Sequence, residues 1–232
     1  MTDANAARVR EMFTRIARRY DVMNSLMTGG RHHAWRRLAA DAVVDAPPGP
    51  ILDLATGTAD LALAVRAVRP ASTVVAADFS EAMLHEARPK LARRSETRVR
   101  LLAGDALALP FRDRTFAAVT SAFLVRNLVD LAGGLTEMRR VVMSGGLVVT
   151  LDITRPTVVG WDRVFGIYFA RVVPVLGALV AGDRAAYTYL PDSVARFTSP
   201  AGLAEAMRRA GLRDVRYRRA GLGTIAVHVG VA

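Results

Sequence analysis

Acidic side chains stand at or near the ends of three successive strand-like runs of this chain. Asp53 lies in the apolar run 51–54, Asp78 ends the run 73–78, and Asp105 follows the run 99–103. The carboxyl ends of parallel strands meet at one edge of a sheet, where open α/β folds bind ligands. One such acid would be an ordinary turn residue, but three in register favour a binding site. A carboxylate like Asp78, after the second strand, can accept hydrogen bonds from both hydroxyls of a ribose.

The turn after the first run is built from small residues. Gly57 is its one glycine, and Ala55 and Ala59 stand where a dinucleotide fingerprint would have glycine. Small residues let a backbone approach a ligand closely, and the N-terminus of the following helix faces that ligand. Because two of the fingerprint glycines are missing, NAD is not the favoured ligand and a nicotinamide-dependent oxidoreductase is a weaker alternative.

Strand and helix patterns alternate around these acids. Strands are predicted near 50–54, 73–78, 99–103, 116–121 and 146–152, and helices near 59–68, 80–93 and 130–142. Ser80 and Asp130 are candidate N-caps, and Gly145-Gly146 is predicted as the turn into the fifth strand. Such alternation predicts a parallel sheet with helices on both faces.

The two ends of the chain depart from this alternation. Amphipathic helices are predicted at 4–20 and 33–44, and Pro47-Pro48-Gly49-Pro50 marks the junction to the sheet. The runs 212–217 and 224–229, joined by a glycine-rich turn, predict a terminal antiparallel hairpin. A hairpin added to a parallel sheet is typical of class I S-adenosylmethionine-dependent methyltransferases, which have a Rossmann-like sheet of seven strands.

One structural domain with four segments is therefore expected. The segments are an N-terminal helical cap (1–47), a ligand-binding core (48–154), an apolar helical lid (155–200) and a C-terminal helix with hairpin (201–232). The stretch 164–181 is 18 residues long, but Arg171, Pro174 and two glycines interrupt it. A membrane-spanning helix needs about 20 mostly apolar residues. A lid lying on a membrane and a helix packed on the sheet are both open interpretations.

Composition narrows the chemistry. The chain has 232 residues, a formal charge of +11 and no cysteine, so disulfides, thiolate catalysis and cysteine-ligated metals are excluded. The arginine clusters near both ends are interpreted as solvated helix faces or as attraction to an anionic membrane. Nucleic acid is not an expected partner, since no recognition motif accompanies the charge. The N-terminus lacks an apolar signal sequence, so a cytoplasmic location is expected, with peripheral membrane contact.

Several motifs together resemble the ubiquinone/menaquinone biosynthesis C-methyltransferases from about residue 9 to 230. The segment Tyr20-Asp21-Val22-Met23-Asn24 is the most specific of them. The others are Met12-Phe13, His32 with Trp35-Arg36-Arg37, the segment 52–60, Ala77-Asp78, Asp105-Ala106, Arg126-Asn127, Tyr187-Thr188-Tyr189-Leu190 and Ala226-Val227-His228.

The resemblance implies S-adenosylmethionine as cofactor and a prenylated quinol, most simply demethylmenaquinol, as substrate. It assigns the cofactor to Thr58, Asp78 and the Asp105-Ala106 pair, beside Asp53 and Gly57 of the first turn. Candidate catalytic residues are Arg126 (holding a phenolate, or a water that takes its proton), Tyr20 and the general base His228. Candidate substrate-binding residues are Asp21, Asn24 and Asn127. The transfer requires no metal, and none is predicted; a homodimer is left open.

Departures from the family pattern keep another acceptor open. The family has serine-phenylalanine-glycine-leucine before Arg126-Asn127, where this chain has Ala122-Phe123-Leu124-Val125. Ala122 removes a hydroxyl expected near the cofactor, and Leu124 would narrow the pocket. The alternative is a methyltransferase for another lipophilic acceptor, such as a phospholipid amine or a different isoprenoid quinol.

Overall fold

A computed structural model describes residues 2–156 and 158–232. The strands are β1 (Ile51–Leu54), β2 (Val74–Asp78), β3 (Val99–Ala103), β4 (Phe116–Ala122), β5 (Val142–Ile153), β6 (Arg213–Ala220) and β7 (Ile225–Val231). They form one sheet in the order β3-β2-β1-β4-β5-β7-β6. The first five strands pair in parallel, and β7 pairs antiparallel with both β5 and β6. The predicted seven-stranded sheet with a terminal antiparallel hairpin is confirmed.

Ten α-helices occur among the described residues, and they cover both faces of the sheet. They are α1 (Thr2–Ile16), α2 (Tyr20–Thr28), α3 (Arg31–Asp41), α4 (Asp60–Val68), α5 (Glu81–Arg93), α6 (Leu131–Val141), α7 (Trp161–Ile167), α8 (Val173–Leu176), α9 (Arg184–Arg196) and α10 (Pro200–Arg209). Apolar residues of α3, α4 and α5 pack on one face, and those of α6 and α10 pack on the other. Each face therefore has its own buried core, as the alternating pattern predicts.

A third buried cluster lies outside this sandwich. Residues of α1, α2, α8 and α9 pack together above the carboxyl ends of the strands, with Met23 fully buried among them. We call these four helices, with α7, the cap. Two π-helical turns, Tyr168–Val172 and Gly177–Ala181, join α7, α8 and the following turn into one helix over Trp161–Ala181. The cap covers the edge of the sheet at which a ligand was predicted.

Two details differ from the sequence prediction. The segment Tyr20–Thr28 forms helix α2, whereas the sequence pattern predicts no helix between the one that ends at residue 20 and the one that begins at residue 33. The fifth strand begins at Val142, so Gly145 and Gly146 lie inside it. The pairing of β4 with β5 shifts register between Phe116 and Ala118, and a side chain at Gly146 would stand 2.6 Å from the carbonyl oxygen of Ala117. These glycines therefore accommodate an irregularity within the strand.

Asp130 caps α6 as predicted, accepting the amide of Gly133 at 2.9 Å. Ser80 precedes α5 but its hydroxyl makes no cap hydrogen bond and lies 3.2 Å from the Thr14 hydroxyl on α1 instead. The four segments proposed from the sequence (1–47, 48–154, 155–200 and 201–232) stay a prediction.

Candidate functional site

The strand order reverses direction between β1 and β4, and a cavity opens there at the carboxyl edge of the sheet. We call it the edge cavity. Its lining includes Ala55, Gly57, Asp78, Asp105, Ala106 and Leu124. Crevices at such a reversal are the usual ligand sites of open α/β sheets, because loops from neighbouring strands diverge there.

The turn after β1 folds tightly through three left-handed residues. Ala55, Gly57 and Ala59 have φ values of +54°, +57° and +67°. Two of these residues are the alanines that replace fingerprint glycines, and each alanine carries a side chain that disfavours this conformation. The turn nevertheless brings Gly57 to the wall of the edge cavity, where a side chain at Gly57 would lie 3.7 Å from the Tyr20 ring.

Asp78 ties this turn to the next one. Its Oδ2 accepts the amide of Gly57 at 2.8 Å, and its Oδ1 accepts the amide of Ser80 at 2.8 Å. Burial raises the pKa of Asp78 to about 6, and the amides of Ser80 and Gly57 partly oppose that rise. The carboxylate therefore stays at the cavity wall with lone pairs that a ribose can use.

The other predicted acids have different surroundings. Asp105 lines the edge cavity with Ala106, and its Oδ1 accepts the amide of Leu107 at 2.9 Å. Asp53 does not line the cavity; it is fully buried and accepts the hydroxyls of Thr56 and Thr120 at 2.6 and 2.9 Å. Burial raises its pKa to about 7. Asp53 therefore stabilises the turn after β1 from within the core. Its prediction as a cofactor ligand is corrected, because it supports the turn and does not line the cavity.

Thr58 and Asp21 also lie beside the edge cavity and do not line it. The Thr58 hydroxyl donates to Asp21 Oδ1 at 2.6 Å, and Lys90 donates to Thr58 at 3.0 Å. The predictions that Thr58 binds the cofactor and Asp21 the substrate stay predictions, and the structure shows both side chains engaged with each other. These side chains join the β1 turn to the cap.

A second cavity, the cap cavity, lies between α1, α2, α9 and the Trp161–Ala181 helix. Its lining includes Met12, Trp35, Phe165, Tyr168 and Phe169. Phe13, Tyr20 and Phe123 line both cavities, so the two cavities adjoin at these three rings. Phe123 adopts a left-handed φ of +64° at this junction. A ligand in the edge cavity would therefore meet a ligand in the cap cavity at Tyr20, as the sequence motif predicts for an acceptor site.

The cap cavity is lined mainly by apolar and aromatic residues, and some of the polar atoms at its wall lack partners. Among the described residues, Asn24 Nδ2, Arg126 Nε and the Tyr187 hydroxyl are buried without a hydrogen bond, and all three residues line this cavity. Unpartnered buried donors are rare, because each forfeits its hydrogen bonds to water. Three around one cavity predict a ligand that carries oxygen atoms on an apolar frame.

Arg126 is held by an acid. Its Nη1 donates to Asp152 Oδ1 at 2.6 Å and to the carbonyl oxygen of Phe123 at 2.9 Å. The neighbouring Asn127 donates to the same carbonyl at 2.9 Å and accepts the Tyr189 hydroxyl at 3.2 Å. Asn127 lines the edge cavity while Arg126 lines the cap cavity. The Arg126-Asn127 pair thus spans the junction.

His228 lies away from both cavities. Its ring is buried on β7, with Nε2 2.8 Å from the Pro200 carbonyl oxygen, and it stacks on Tyr217. Burial lowers its pKa. The prediction that His228 is the general base is therefore corrected, since its ring cannot reach a substrate in the cap cavity.

A group of possible metal ligands occurs near the cap. Ligand atoms of His32, His33 and Asp60 lie within 4.8 Å of one another. However, both ring nitrogens of His32 are already in contact, with Ser25 and with the cationic Arg36. Burial, followed by the charge of Arg36, lowers the pKa of His32 to about 4. This surrounding gives no reason to add a metal to the predicted site.

The sequence assigns no role to three contributors to the site, although Tyr187 lies in one of the family motifs. Asp152 holds Arg126, Tyr187 offers its hydroxyl to the cap cavity, and Lys90 joins Thr58 to Asp21. Asp152 and Tyr187 lie 26 and 61 residues after Arg126, so no local spacing connects them. For Lys90 a signal existed, because it is the only lysine in the chain.

The edge cavity fits the predicted cofactor. S-adenosylmethionine carries a ribose, an adenine with a donor amino group, and a cationic sulfur. The cavity offers Asp78 to the ribose, Asp105 and the Ala106 backbone to the adenine, and a small-residue turn at Gly57. The acidic residues also suit a cation.

Several solved structures with this fold are described as methyltransferases. A SAM-dependent methyltransferase from Thermotoga maritima aligns with a TM-score of 0.64 and 19% identity, over 95% of this chain and 98% of that one. One from Aquifex aeolicus aligns with a TM-score of 0.64 and 18% identity, over 91% and 98%. At such low identity the likeness shows the fold alone.

Sequence relatives extend over nearly the whole chain. A demethylmenaquinone methyltransferase from Thermus thermophilus is 46% identical over 94% of this chain and 99% of its own length. A ubiquinone/menaquinone biosynthesis C-methyltransferase from Methylobacterium nodulans is 40% identical over 98% and 92%. The model of the ubiE/COQ5 methyltransferase family matches residues 1–232. The protein is thus an S-adenosylmethionine-dependent methyltransferase, and the chain belongs to the ubiE/COQ5 methyltransferase family.

Proposed function

We propose that this enzyme methylates a ring carbon of a prenylated quinol, converting demethylmenaquinol to menaquinol. The observation that carries the proposal is the cap cavity: an aromatic-lined space with three unpartnered polar atoms that adjoins the cofactor site. A quinol ring has two hydroxyl groups on an apolar frame, and its prenyl tail suits the surrounding phenylalanines. The names of the relatives from Thermus thermophilus and Deinococcus radiodurans support this acceptor.

The reaction requires an electron-rich ring carbon. S-adenosylmethionine, when bound, supplies a methyl group on a cationic sulfur, which leaves as a neutral thioether. The quinol loses a phenolic proton, and its ortho carbon forms the new bond to the methyl group as the carbon–sulfur bond breaks. That carbon then loses its own proton to restore the aromatic ring, and the phenolate oxygen takes up a proton to give the methylated quinol. Arg126 Nε is a free donor for the phenolate oxygen, and Asp152 keeps the guanidinium in place.

Arg126 cannot itself accept the phenolic proton, because a guanidinium remains charged in proteins. Its role is to lower the energy of the phenolate, so that a water molecule can take the proton. Tyr20 and Phe123 stand where the two cavities meet and orient the ring carbon toward the methyl group. Catalysis then rests on proximity and on stabilising the developing charge.

A second acceptor is favoured by one specific feature. Ala122 and Leu124 replace a serine and a glycine of the family pattern, and both line the edge cavity next to Phe123. Leu124 fills space beside the reacting atoms that a glycine would leave open. Another isoprenoid quinol or a phospholipid amine is therefore the alternative acceptor.

The decisive assay follows labelled methyl from S-adenosylmethionine to chemically reduced demethylmenaquinone in detergent. We expect methylated quinone from the parent enzyme and about 100-fold less from Arg126→Ala, because a lost donor to a developing oxyanion costs that much. Cofactor binding without quinone methylation would reject this acceptor, and Leu124→Gly would then be tested with the same substrate.

We also propose that the cap contacts the cytoplasmic surface of a membrane peripherally. The helix Trp161–Ala181 is long and apolar enough to cross a membrane by length and composition, and 22% of its most apolar 18-residue stretch is buried. Its inner residues Val173 and Gly177 pack in the cap, while its outer face exposes Val164, Ile167 and Leu179. A helix with one packed and one exposed apolar face suits the interface of a bilayer.

Two neighbouring features extend this exposed face. Val22 and Leu26 on α2, which packs against the same helix, are exposed as well. Arg163 and Arg171 are exposed on the helix itself and suit anionic head groups. The cap cavity lies directly behind the helix, so a membrane-dissolved quinol has a short path to it.

Co-sedimentation with vesicles containing anionic phospholipid tests this surface. Leu179→Asp is expected to weaken binding strongly, because Leu179 is an apolar side chain that is 78% exposed on this face. Val44→Asp is the matched control: Val44 is also exposed, but its carbonyl accepts Arg69 at the opposite end of the sheet. Equal losses in both variants would reject the surface. Sedimentation velocity of the same samples reports whether the homodimer left open by the sequence forms.

A further inference from the structure

The single lysine of this arginine-rich chain occupies a distinctive place. Lys and Arg together number 32, and Lys90 is the only lysine. Its Nζ lies 2.6 Å from Asp21 Oδ2, 2.6 Å from Asp60 Oδ1 and 3.0 Å from Thr58 Oγ1. An ammonium has three donors, and these three oxygens use all of them. The side chains of Lys90 and Asp60 are 19% and 13% exposed, whereas that of Asp21 is 40% exposed.

The three oxygens come from three different elements. Asp21 lies on α2 of the cap, Thr58 on the turn after β1, and Asp60 in the first turn of α4, while Lys90 itself lies on α5. The Thr58 hydroxyl donates to Asp21 Oδ1 at 2.6 Å and closes the network. One ammonium therefore joins the cap to the cofactor turn and to both helices that flank it.

An arginine would not make the same contacts. Three acceptors converge on one nitrogen here, whereas a guanidinium spreads its donors over a planar fork that matches a carboxylate. Elsewhere the chain uses arginine for every other basic side chain. A lone lysine against that bias indicates that the compact ammonium is required at position 90.

Two members of the network are next in sequence to residues that line the cavities. Asp21 directly follows Tyr20, which lines both cavities, and precedes Asn24 by about one helical turn. Thr58 directly follows Gly57, which lines the edge cavity and donates to Asp78. A shift of the β1 turn is therefore transmitted through Thr58, Lys90 and Asp21 to the helix that carries Tyr20.

We propose that Lys90 is a positioning residue that couples the cofactor turn to the acceptor wall. When the cofactor orders the turn at Gly57, the Lys90 network orders α2 and sets Tyr20 and Asn24 for the acceptor. The acceptor half of this inference rests on the proposed function. The cofactor half stands alone, because it concerns only the turn, Lys90 and α2.

The test uses the full-length variants Lys90→Met and Lys90→Arg, with Arg88→Met as control. Arg88 is an exposed cation on the same helix, one half-turn away. The measurements are the Kd for S-adenosylmethionine by calorimetry and the protection that the cofactor gives to the amides of 20–28 in hydrogen exchange. We expect about tenfold weaker cofactor binding in Lys90→Met and no cofactor-dependent protection of α2. Lys90→Arg is expected to restore neither the cofactor affinity nor the protection of α2. Arg88→Met should match the parent enzyme in both measurements.

A double-mutant cycle separates positioning from simple stabilisation. Asp21→Asn is combined with Lys90→Met, and the pair is expected to bind the cofactor no more weakly than Lys90→Met alone, because both changes break one network. The KM for the acceptor is expected to rise in each variant. Circular dichroism measures the folded fraction, and any loss of folded protein should be too small to explain the higher KM. If Lys90→Met fails to fold, Asp21→Asn supplies the same readouts, since it keeps the Lys90–Asp60 contact.

Three results would overturn the inference. They are wild-type cofactor affinity in Lys90→Arg, persistent protection of α2 in Lys90→Met, and additive effects in the cycle. A parent enzyme that protects α2 on cofactor binding but methylates no quinol would keep the coupling and reject the proposed acceptor.

Discussion

The guanidinium of Arg126 lies 2.6 Å from a carboxylate oxygen of Asp152, and the two side chains are only 6% and 3% exposed. Asp152 Oδ2 also accepts the Arg126 amide at 3.2 Å, and its Oδ1 accepts the amide of Ile153 at 2.8 Å. The acid thus fixes both the backbone and the side chain of Arg126 at the wall of the cap cavity.

Breaking this pair should be costly for stability. Asp152→Ala leaves the Arg126 charge buried without its partner, and the free energy of unfolding should fall by about 3–5 kcal/mol. Urea denaturation measures it. The control is Glu205→Ala, which breaks the exposed Arg208–Glu205 pair (3.3 Å) and should cost at most about 1 kcal/mol. A similar small loss in both variants would contradict the structural role of the buried pair.

Cofactor affinity should depend on the ionisation of Asp78. Burial raises the pKa of Asp78 to about 6, and the ribose hydroxyls need the ionised carboxylate as acceptor. The affinity for S-adenosylmethionine should therefore fall by about tenfold per pH unit as the pH drops below 6. Calorimetric titrations between pH 5 and 8 measure it.

Two variants serve as controls for this pH profile. Asp78→Asn should bind weakly at every pH with a flat profile, because the titrating group is gone. Asp53→Asn should keep the parent profile, since Asp53 does not line the edge cavity. If the cofactor affinity of Asp78→Asn still depends on pH, a group other than Asp78 causes the pH dependence.

Asp53 should make the free energy of unfolding depend on pH. Burial raises its folded pKa from 3.8 to about 7, so the folded chain binds a proton that the unfolded chain has released. Between about pH 4 and 7 this group makes the free energy of unfolding decrease as pH rises. Asp53→Asn removes that slope.

The measurable quantity is the difference in the free energy of unfolding between Asp53→Asn and the parent. It should shift in favour of the variant as pH increases from 4 to 7 and then level off. Taking the difference cancels the contribution of Asp78, which has the same sign. A constant difference across this range would show that Asp53 titrates at its ordinary pKa.

Tyr187→Phe should affect the acceptor without harming the fold. The Tyr187 hydroxyl is buried and unpartnered at the cap cavity, and Gly177 packs directly against its ring. Removing the hydroxyl leaves no protein group unsatisfied, so the melting temperature should hold or rise. The KM for the quinol should increase several-fold, because one hydrogen bond of about 1 kcal/mol to the ligand is lost.

Tyr168→Phe is the matched comparison. The Tyr168 hydroxyl donates to the Met27 carbonyl oxygen at 2.8 Å, so this change leaves a backbone acceptor unpaired. It should lower the melting temperature more than Tyr187→Phe does. If both variants lower stability alike and leave the KM unchanged, the Tyr187 hydroxyl has no role in binding the acceptor.

Local patterns predicted most of the sheet, because strand and helix periodicity report which faces are buried. Asp78 is the last residue of β2 and Asp105 follows β3, so their places at the carboxyl edge were predictable from strand ends alone. Helix α2 was missed because the segment 20–28 is short, and tertiary packing of Met23 rather than a long apolar stripe holds it.

The sequence predicted the place of a site residue only where a single helix, strand or turn determines it. Tyr20 and Arg126 line the cap cavity, whereas His228 on β7 contacts the carbonyl oxygen of Pro200 and Asp53 is buried behind the turn after β1. A sequence motif gives residue types and spacing, whereas the direction of each side chain depends on which neighbours bury it.

The sequence by itself determined the order of strands and helices, the acids at the strand ends and the family motifs, because these depend on neighbours along the chain. Only the tertiary structure decided that Phe13, Tyr20 and Phe123 join two cavities, and that Lys90 contacts Asp21 across 69 residues. Such contacts form between elements distant in sequence, and their geometry is set by packing of the cap on the sheet rather than by any local pattern.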